Sequence, residues 1–178
     1  MPDSQATRAA ADGSSAVERR RTIIWQDPAA LAEAAGGRSG LEFVRAMRDG
    51  ELPPPPIAEL MQFTVAEVGP GVAGFRCAPG EWAYNPIGVV HGGLVCTLLD
   101  SAIGCAVQTT LEAGFGYTSI DLKVDYLRAV TRDSGPLVAT GRVTKPGRRV
   151  AFASAEVVDR VGKLVATGSG SCLVMSRS

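Results

Sequence analysis

The stretch from Leu94 to about Thr110 constrains the fold of this 178-residue chain more than any other part. It is apolar on nearly every side of a helix, and a helix of that kind is one that the rest of the domain wraps around. A single acidic residue, Asp100, interrupts it. An ionised carboxylate in such a position is costly unless it is paired or hydrogen-bonded, so Asp100 is the first candidate for a functional residue.

The only histidine of the chain leads into this helix, in the segment His91-Gly92-Gly93. The start of a helix offers free backbone N–H groups and the positive end of the helix dipole. Glycine permits a tight turn there and lets a ligand approach the backbone without a Cβ clash. Three roles stay open for His91: it polarises a carbonyl, it hydrogen-bonds the glycine turn, or it caps the helix.

Most of the remaining chain has the pattern of β-strands. Residues 61–68 and 72–78 flank Gly69-Pro70-Gly71, which predicts a hairpin. After a turn at 114–116, residues 119–127 alternate polar and apolar, as a half-buried antiparallel strand does. Three further strands are predicted at 136–143, 150–158 and 164–174. The last four strands read as a meander, so the sequence predicts an α+β fold with an antiparallel sheet wrapped around one long central helix.

The chain divides into three regions. Residues 1–22 are rich in Ala, Ser, Arg and Asp without a period, which predicts a disordered N-terminal tail. Residues 23–56 predict a helical extension followed by a proline-rich connector, and residues 57–178 hold the sheet and its helix.

The extension has clear start and stop signals. Asp27 is a predicted N-cap with Pro28 at the first helical position, and Gly36-Gly37 ends that helix. A second short helix is predicted from Gly40 to Met47. The four prolines at 53–56 then predict an extended, stiff connector.

Composition argues against several classes of function. Lys and Arg number 18, as do Asp and Glu, so nothing in the charge favours nucleic acid or an anionic membrane as a partner. No stretch reads as a signal peptide, and none approaches the ~18 apolar residues of a membrane span, which predicts a cytoplasmic protein. With one histidine, and four cysteines that lack metal-ligand spacing, no metal site is expected.

Four short segments share a pattern: Tyr84-Asn85-Pro86-Ile87-Gly88-Val89-Val90-His91-Gly92-Gly93, Thr97-Leu98-Leu99-Asp100, Ser119-Ile120-Asp121-Leu122 and Tyr126-Leu127-Arg128. Together they resemble the PaaI-like (phenylacetate-pathway type) branch of the hotdog-fold acyl-CoA thioesterases. The resemblance covers roughly residues 57 to 175. It rests on the Asn, the His-Gly-Gly and the Asp at these offsets together, since His-Gly-Gly alone is a weak motif.

The resemblance implies a hotdog fold, hydrolysis of an acyl-CoA thioester, and a homodimer that is often paired again into a tetramer. The active sites would lie between subunits. Coenzyme A would be part of the substrate, and no separate cofactor is implied. The acyl group stays open among aryl-acetyl, benzoyl-type and medium-chain groups.

The resemblance also implies roles for five residues. Asp100 resembles the catalytic carboxylate, acting as a general base on water or as a nucleophile. Gly92 resembles the backbone N–H donor to the thioester carbonyl. Asn85 and His91 resemble the polar groups that support that carbonyl or the glycine turn, and Ser119 resembles the hydroxyl that orients the water.

The chemistry supports these roles independently of the family. Thioester hydrolysis needs hydrogen-bond donors at the developing oxyanion and a base that activates water. Asp100 lies nine residues from His91, which is about 13 Å along one helix. One subunit therefore cannot easily bring Asp100 and Gly92 to the same carbonyl, whereas a two-fold dimer can present the Asp100 of one chain to the Gly92 of the other.

Further residues are candidates for binding the substrate. Basic side chains that could hold the coenzyme A phosphates follow the alternating strand or flank the turn at 146–147, although each is also compatible with an ordinary solvated loop. The full set of substrate-binding candidates is Gly93, Thr118, Arg128, Lys145, Arg148 and Arg149.

Two neighbouring residues have simpler interpretations. Asn85 precedes a proline, and the Asn-Pro pair favours the start of a turn. Cys96 shares a helix face with Asp100, so a Cys-His-Asp nucleophile is conceivable. No positive group other than His91 is near in sequence to lower the pKa of that thiol.

Two other functions compete with thioester hydrolysis. Asn85-Pro86 echoes the hotdog enoyl-CoA hydratases, but those enzymes place an aspartate just before the Asn and the histidine closer to it. The other is a non-enzymatic regulator that senses acyl-CoA behind an N-terminal helix-turn-helix. The first 50 residues contain seven arginines and seven acids and no basic recognition face. We therefore expect the N-terminal helices to pack over a sheet edge or over the entrance of the site.

Overall fold

The computed structural model describes residues 18–176. The predicted disordered tail, 1–22, falls mainly outside the described residues, and its last part, 18–22, has neither helix nor strand. The helices are α1 (Pro28–Gly36), α2 (Gly40–Arg48), α3 (Pro56–Met61) and α4 (Gly92–Gln108). The strands are β1 (Phe63–Gly69), β2 (Val72–Cys77), β3 (Phe115–Tyr126), β4 (Leu137–Lys145), β5 (Val150–Val158) and β6 (Leu164–Ser176).

One antiparallel sheet of six strands wraps around α4, which confirms the predicted architecture. Helix α4 contacts all six strands, and its side chains Leu98, Leu99 and Ile103 are at most 1% exposed. They pack in one apolar core with residues of every strand except β3, whose half-buried apolar side chains border it. Among residues 18–176, no helix combines the length and hydropathy that crossing a bilayer requires.

The predicted four-strand meander is wrong in one respect. The strand order is β1-β2-β4-β5-β6-β3, so β4 pairs with β2, while β3 lies at the far edge beside β6. Residue patterns identify strands but not their partners. Helix α4 separates β2 from β3 along the chain and allows β3 to join the opposite edge of the sheet.

The connector also differs from the prediction at its end. Only Pro53–Pro55 are extended, because Pro56 is the first residue of α3. Proline is tolerated at that position, since the first N–H groups of a helix have no acceptor within the helix. Gln62 ends α3 with a left-handed backbone, φ 54°. The first strand therefore begins at Phe63 rather than at residue 61.

The helical extension is fastened to the sheet domain. Ser39 and Glu42 form a capping box at the start of α2, and the Gly40 N–H donates to the Leu111 carbonyl at 2.9 Å. A Cβ at Gly40 would collide with the backbone carbonyl of Gln108, so the two helices touch backbone to backbone. Val44 is fully buried, and α2 packs against the edge strand β1. This confirms that the extension packs over a sheet edge.

Candidate active site

His91 caps α4. The helix begins at Gly92, and the His91 Nδ1 accepts the Gly93 N–H at 2.8 Å. An accepting Nδ1 leaves Nε2 to carry the ring proton. This bond fits two of the three roles left open for His91, capping the helix and hydrogen-bonding the glycine turn.

Of the first three backbone N–H groups of α4, two donate to His91 and one has no acceptor among residues 18–176. The Leu94 N–H donates to the His91 carbonyl at 3.0 Å, and the Gly93 N–H is taken by the imidazole. Within the described residues, no acceptor takes the Gly92 N–H. That group is a free donor at the positive end of a helix of 17 residues.

A tyrosine that was not assigned a role from the sequence fixes the Gly92 peptide. The Tyr126 hydroxyl donates to the Gly92 carbonyl at 3.0 Å, and its ring lies so close that a Cβ at Gly92 would sit 3.1 Å from it. The alternating pattern of the strand places Tyr126 on the same face as Val124 and was a usable signal for this contact.

Asn85 organises the loop before α4. Its Oδ1 accepts the backbone N–H of Ile87 at 3.1 Å and that of Val89 at 3.4 Å. The backbone N–H of Asn85 also donates to the Val89 carbonyl at 2.8 Å. The side-chain Oδ1 of Asn85 thus makes the bonds of a turn residue. This is the simpler of the two interpretations of Asn85, the other being a group that supports the thioester carbonyl.

Asp100 is half-buried and has a partner. The Ser119 hydroxyl donates to the Asp100 Oδ1 at 2.7 Å. A β-bulge lies between Ser119 and Asp121, so Ile120 is the extra residue and the side-chain alternation of β3 changes phase there. Thr118 precedes Ser119 directly and therefore faces away from Asp100.

Five of the predicted site residues line three different cavities of the protomer. Asp100 lines a cavity of about 670 Å³, whereas His91 and Gly93 line one of about 760 Å³. Gly92 and Arg128 line a third, of about 290 Å³. Among the cavities described, none contains both the carboxylate and the free N–H donor.

The predicted basic cluster is also divided. Arg128 follows β3 near the start of α4. Lys145, Arg148 and Arg149 lie around the β4–β5 turn, and Arg148 lines a cavity with Thr110, just beyond the last residue of α4. A helix of 17 residues is about 25 Å long, so one protomer does not bring these cations together.

The cysteines near Asp100 are poor nucleophiles. Burial, and then the Asp100 carboxylate, raise the pKa of the Cys96 thiol above its ordinary value. Burial raises the pKa of Cys105 to about 12. A thiol with a raised pKa is a thiolate only in trace amounts at neutral pH, which counts against a Cys-His-Asp mechanism.

A second tyrosine, also missed from the sequence, lines the same cavity as Asp100. The Tyr117 ring packs against Gly104 of α4, where a Cβ would collide with its hydroxyl. Burial and the adjacent Cys105 raise the pKa of Tyr117 well above its ordinary value, so its hydroxyl keeps its proton. No spacing rule pairs residues 104 and 117, since the contact depends on how β3 lies along α4.

Known proteins resemble this chain in sequence and in fold. A profile of the Thioesterase superfamily matches residues 87–166. Human acyl-coenzyme A thioesterase 13 is 32% identical over 110 residues, which are 61% of this chain and 77% of the human protein. The mouse protein of the same name is 35% identical over 89 residues, 49% of this chain, and the match spans 62% of the mouse protein.

A solved structure agrees with the fold. The E. coli PaaI protein from the phenylacetic acid degradation operon has a TM-score of 0.67 at 20% identity, over 79% of this chain and 96% of that one. At that identity the likeness concerns the fold, and it confirms the predicted hotdog architecture. The chain therefore belongs to the thioesterase superfamily and has the hotdog fold.

Proposed function

We propose that this protein hydrolyses an acyl-CoA thioester to a free carboxylic acid and coenzyme A, at a site formed between two copies of the chain. The observation that carries the proposal is a pair of half-sites. The Gly92 N–H is free at the start of α4, and the Asp100 carboxylate is held by Ser119. A helix N-terminus is a donor for an oxyanion, and a fixed carboxylate is a base for water.

The reaction assigns one task to each half-site. The thioester carbonyl accepts the Gly92 N–H, which stabilises the charge that develops on its oxygen. Ser119 holds the Oδ1 of Asp100, which leaves Oδ2 to take a proton from the attacking water. When the carbon–sulfur bond breaks, that proton passes to the departing thiolate of coenzyme A.

A dimer is proposed because the half-sites open into different cavities of one protomer. Strand β3 is an edge strand of 12 residues, and its exposed outer edge can pair with another strand. Ile120 and Tyr126 of β3 and the following Leu127 are exposed apolar side chains. Pairing β3 with its copy would bring a second protomer close to Ser119 and Asp100.

The same pairing supports the proposed phosphate contacts. Arg128 and the β4–β5 turn with Lys145, Arg148 and Arg149 lie toward opposite ends of α4 in one protomer. In a two-fold dimer, the end of one helix can meet the start of the other. Cations from two chains would then bind the phosphates of one coenzyme A.

Asp100→Asn tests the proposal. The amide keeps the size of the side chain but cannot accept the proton of water, so we expect turnover to fall roughly 10²–10⁴-fold. The assay measures thiol release from a panel of acyl-CoAs, and thermal unfolding followed by circular dichroism checks that the variant is folded.

Asp133→Asn is the matched control. Asp133 is an exposed carboxylate of the short helix Arg132–Ser134, and it lines none of the cavities that contain the half-sites. We expect this variant to hydrolyse the panel at the wild-type rate. Wild-type turnover by folded Asp100→Asn would contradict the mechanism, and no turnover of any acyl-CoA by the wild type would contradict the function.

A further inference from the structure

The N-terminal extension forms one wall of the cavity that contains Asp100. This cavity of about 670 Å³ lies between the end of α2, the proline connector and α3 on one side, and α4, β1 and β2 on the other, with Tyr117 of β3. We propose that it binds the acyl group of the substrate and that the extension selects bulky, apolar acyl groups. The inference rests on the proposed hydrolysis of acyl-CoA.

The walls have the chemistry of an apolar site. Phe63 and Phe75 are buried side chains of the wall. Apart from the half-buried Asp100, its charged members are the exposed Arg48 and Glu51. The Arg48 guanidinium is already held by the Asp49 carboxylate through bonds of 2.7 and 2.9 Å. An acyl group that carries its own carboxylate would lose hydration here, beside a cation that is engaged elsewhere.

The position of Asp100 indicates that the cavity holds the acyl end of the substrate and not its nucleotide end. Asp100, Ser101 and Cys105 lie along one side of the cavity, and Asp100 is the carboxylate that would act at the carbonyl carbon. An apolar group attached to that carbon can extend from Asp100 toward the connector. Among the described residues that line this cavity, the only cation that could bind the coenzyme A phosphates is Arg48, which is already paired with Asp49.

The volume favours acyl groups larger than acetyl. Sites for small organic molecules measure about 300–1,000 Å³, and the cavity of about 670 Å³ falls within that range. An acetyl group would leave most of it unfilled. Each additional buried methylene would raise affinity about fourfold.

The extension wall is preorganised. Gly50 ends α2 with a left-handed backbone, φ 77°, and the N–H groups of Glu51 and Leu52 both donate to the Ala46 carbonyl, at 2.9 and 3.1 Å. The prolines that follow have fixed φ angles. A wall that is already ordered loses little entropy when a ligand binds, and it keeps its shape for selection.

Ile57→Trp tests the inference by filling the cavity from the extension side. Ile57 lines the cavity and is 42% exposed, so the larger side chain can be accommodated without disturbing the core. We expect kcat/KM for octanoyl-CoA and phenylacetyl-CoA to fall roughly tenfold or more. For acetyl-CoA we expect a change of less than about twofold.

Val161→Trp is the matched control. Val161 is 66% exposed in the β5–β6 turn, outside the cavity. We expect it to leave kcat/KM unchanged for all three substrates. Succinyl-CoA, whose acyl group carries a carboxylate, should be the poorest substrate of similar size for the wild type.

Binding of S-alkyl-CoA thioethers, which cannot be hydrolysed, tests the cavity independently of turnover. By calorimetry, we expect affinity to rise from S-ethyl-CoA to S-octyl-CoA in the wild type and the control, and to rise much less in Ile57→Trp. An equal loss of kcat/KM for every acyl-CoA in Ile57→Trp would overturn the inference. So would the same dependence of affinity on chain length in the wild type, Val161→Trp and Ile57→Trp. Absence of turnover with the expected binding series would contradict the proposed hydrolysis and leave the cavity assignment supported.

Discussion

At the scale of single residues, the β-bulge at Ile120 decides which hydroxyl meets Asp100. Before the bulge, Ser119 faces α4 and donates to Asp100, while Thr118 faces the other way. After it, Val124 and Tyr126 face α4. One extra residue in β3 therefore lets the same strand serve both Asp100 and Gly92.

Ser119→Ala and Thr118→Ala separate these two hydroxyls. Loss of the Ser119 hydroxyl frees the Asp100 carboxylate to rotate, so we expect kcat to fall roughly tenfold, as for the loss of a hydrogen bond to a charged group. KM should change little, because the hydroxyl is proposed to act on the base. The measurement is steady-state thiol release, with Thr118→Ala expected to match the wild type; an equal loss in the two variants would contradict the assignment.

At the scale of elements, the extension includes one close contact between the backbones of two helices. Helix α2 meets α4 at Gly40, where the Gln108 carbonyl occupies the space of a Cβ. The extension wall of the cavity continues from α2 through Gly50 and the connector. A displacement at Gly40 therefore affects both the attachment of α2 and the shape of that wall.

Gly40→Ala tests this attachment. The added methyl group must push α2 away from α4, so we expect the free energy of unfolding to fall by about 1–3 kcal/mol, as overpacking typically does. Gly36→Ala is the matched control, because a Cβ there meets nothing within 4 Å. Urea unfolding followed by circular dichroism measures both variants, and equal stability of the two would show that α2 accommodates the methyl group.

The elements also show what sequence can predict. The apolar run of α4, the hairpin at 69–71 and the N-cap at Asp27 are local patterns, and all three are confirmed. The partner of β3 could not be predicted, because strand pairing depends on contacts between residues far apart in the chain. For the same reason the sequence indicated Asp100 and Gly92 but not their neighbours from β3. These are Tyr117, which packs against Gly104, and Tyr126, which packs against Gly92.

At the scale of the whole molecule, the proposed site needs two chains. Ile120 lies on the outer edge strand and is 54% exposed, so a charge there would face its copy across a two-fold axis. We expect Ile120→Lys to shift the sedimenting mass from a dimer toward the 18.5 kDa monomer. The rate of thiol release should fall as the dimer dissociates, since a monomer has the two half-sites in separate cavities.

Val161→Lys is the control for that substitution, since Val161 is exposed in a turn away from β3. We expect it to keep the dimer mass and the wild-type rate. A fully active Ile120→Lys monomer would show that one chain completes the site by itself.

The strand order has a consequence for how the molecule is made. Strand β6 is the third strand after β3 along the chain, yet it is the neighbour of β3 in the sheet. While a ribosome is still synthesising β4 and β5, β3 lacks its partner strand, and contacts between such distant residues form slowly. The β3 edge therefore gains its strand partner only after β6 has been synthesised, so association through that edge would follow the synthesis of β6.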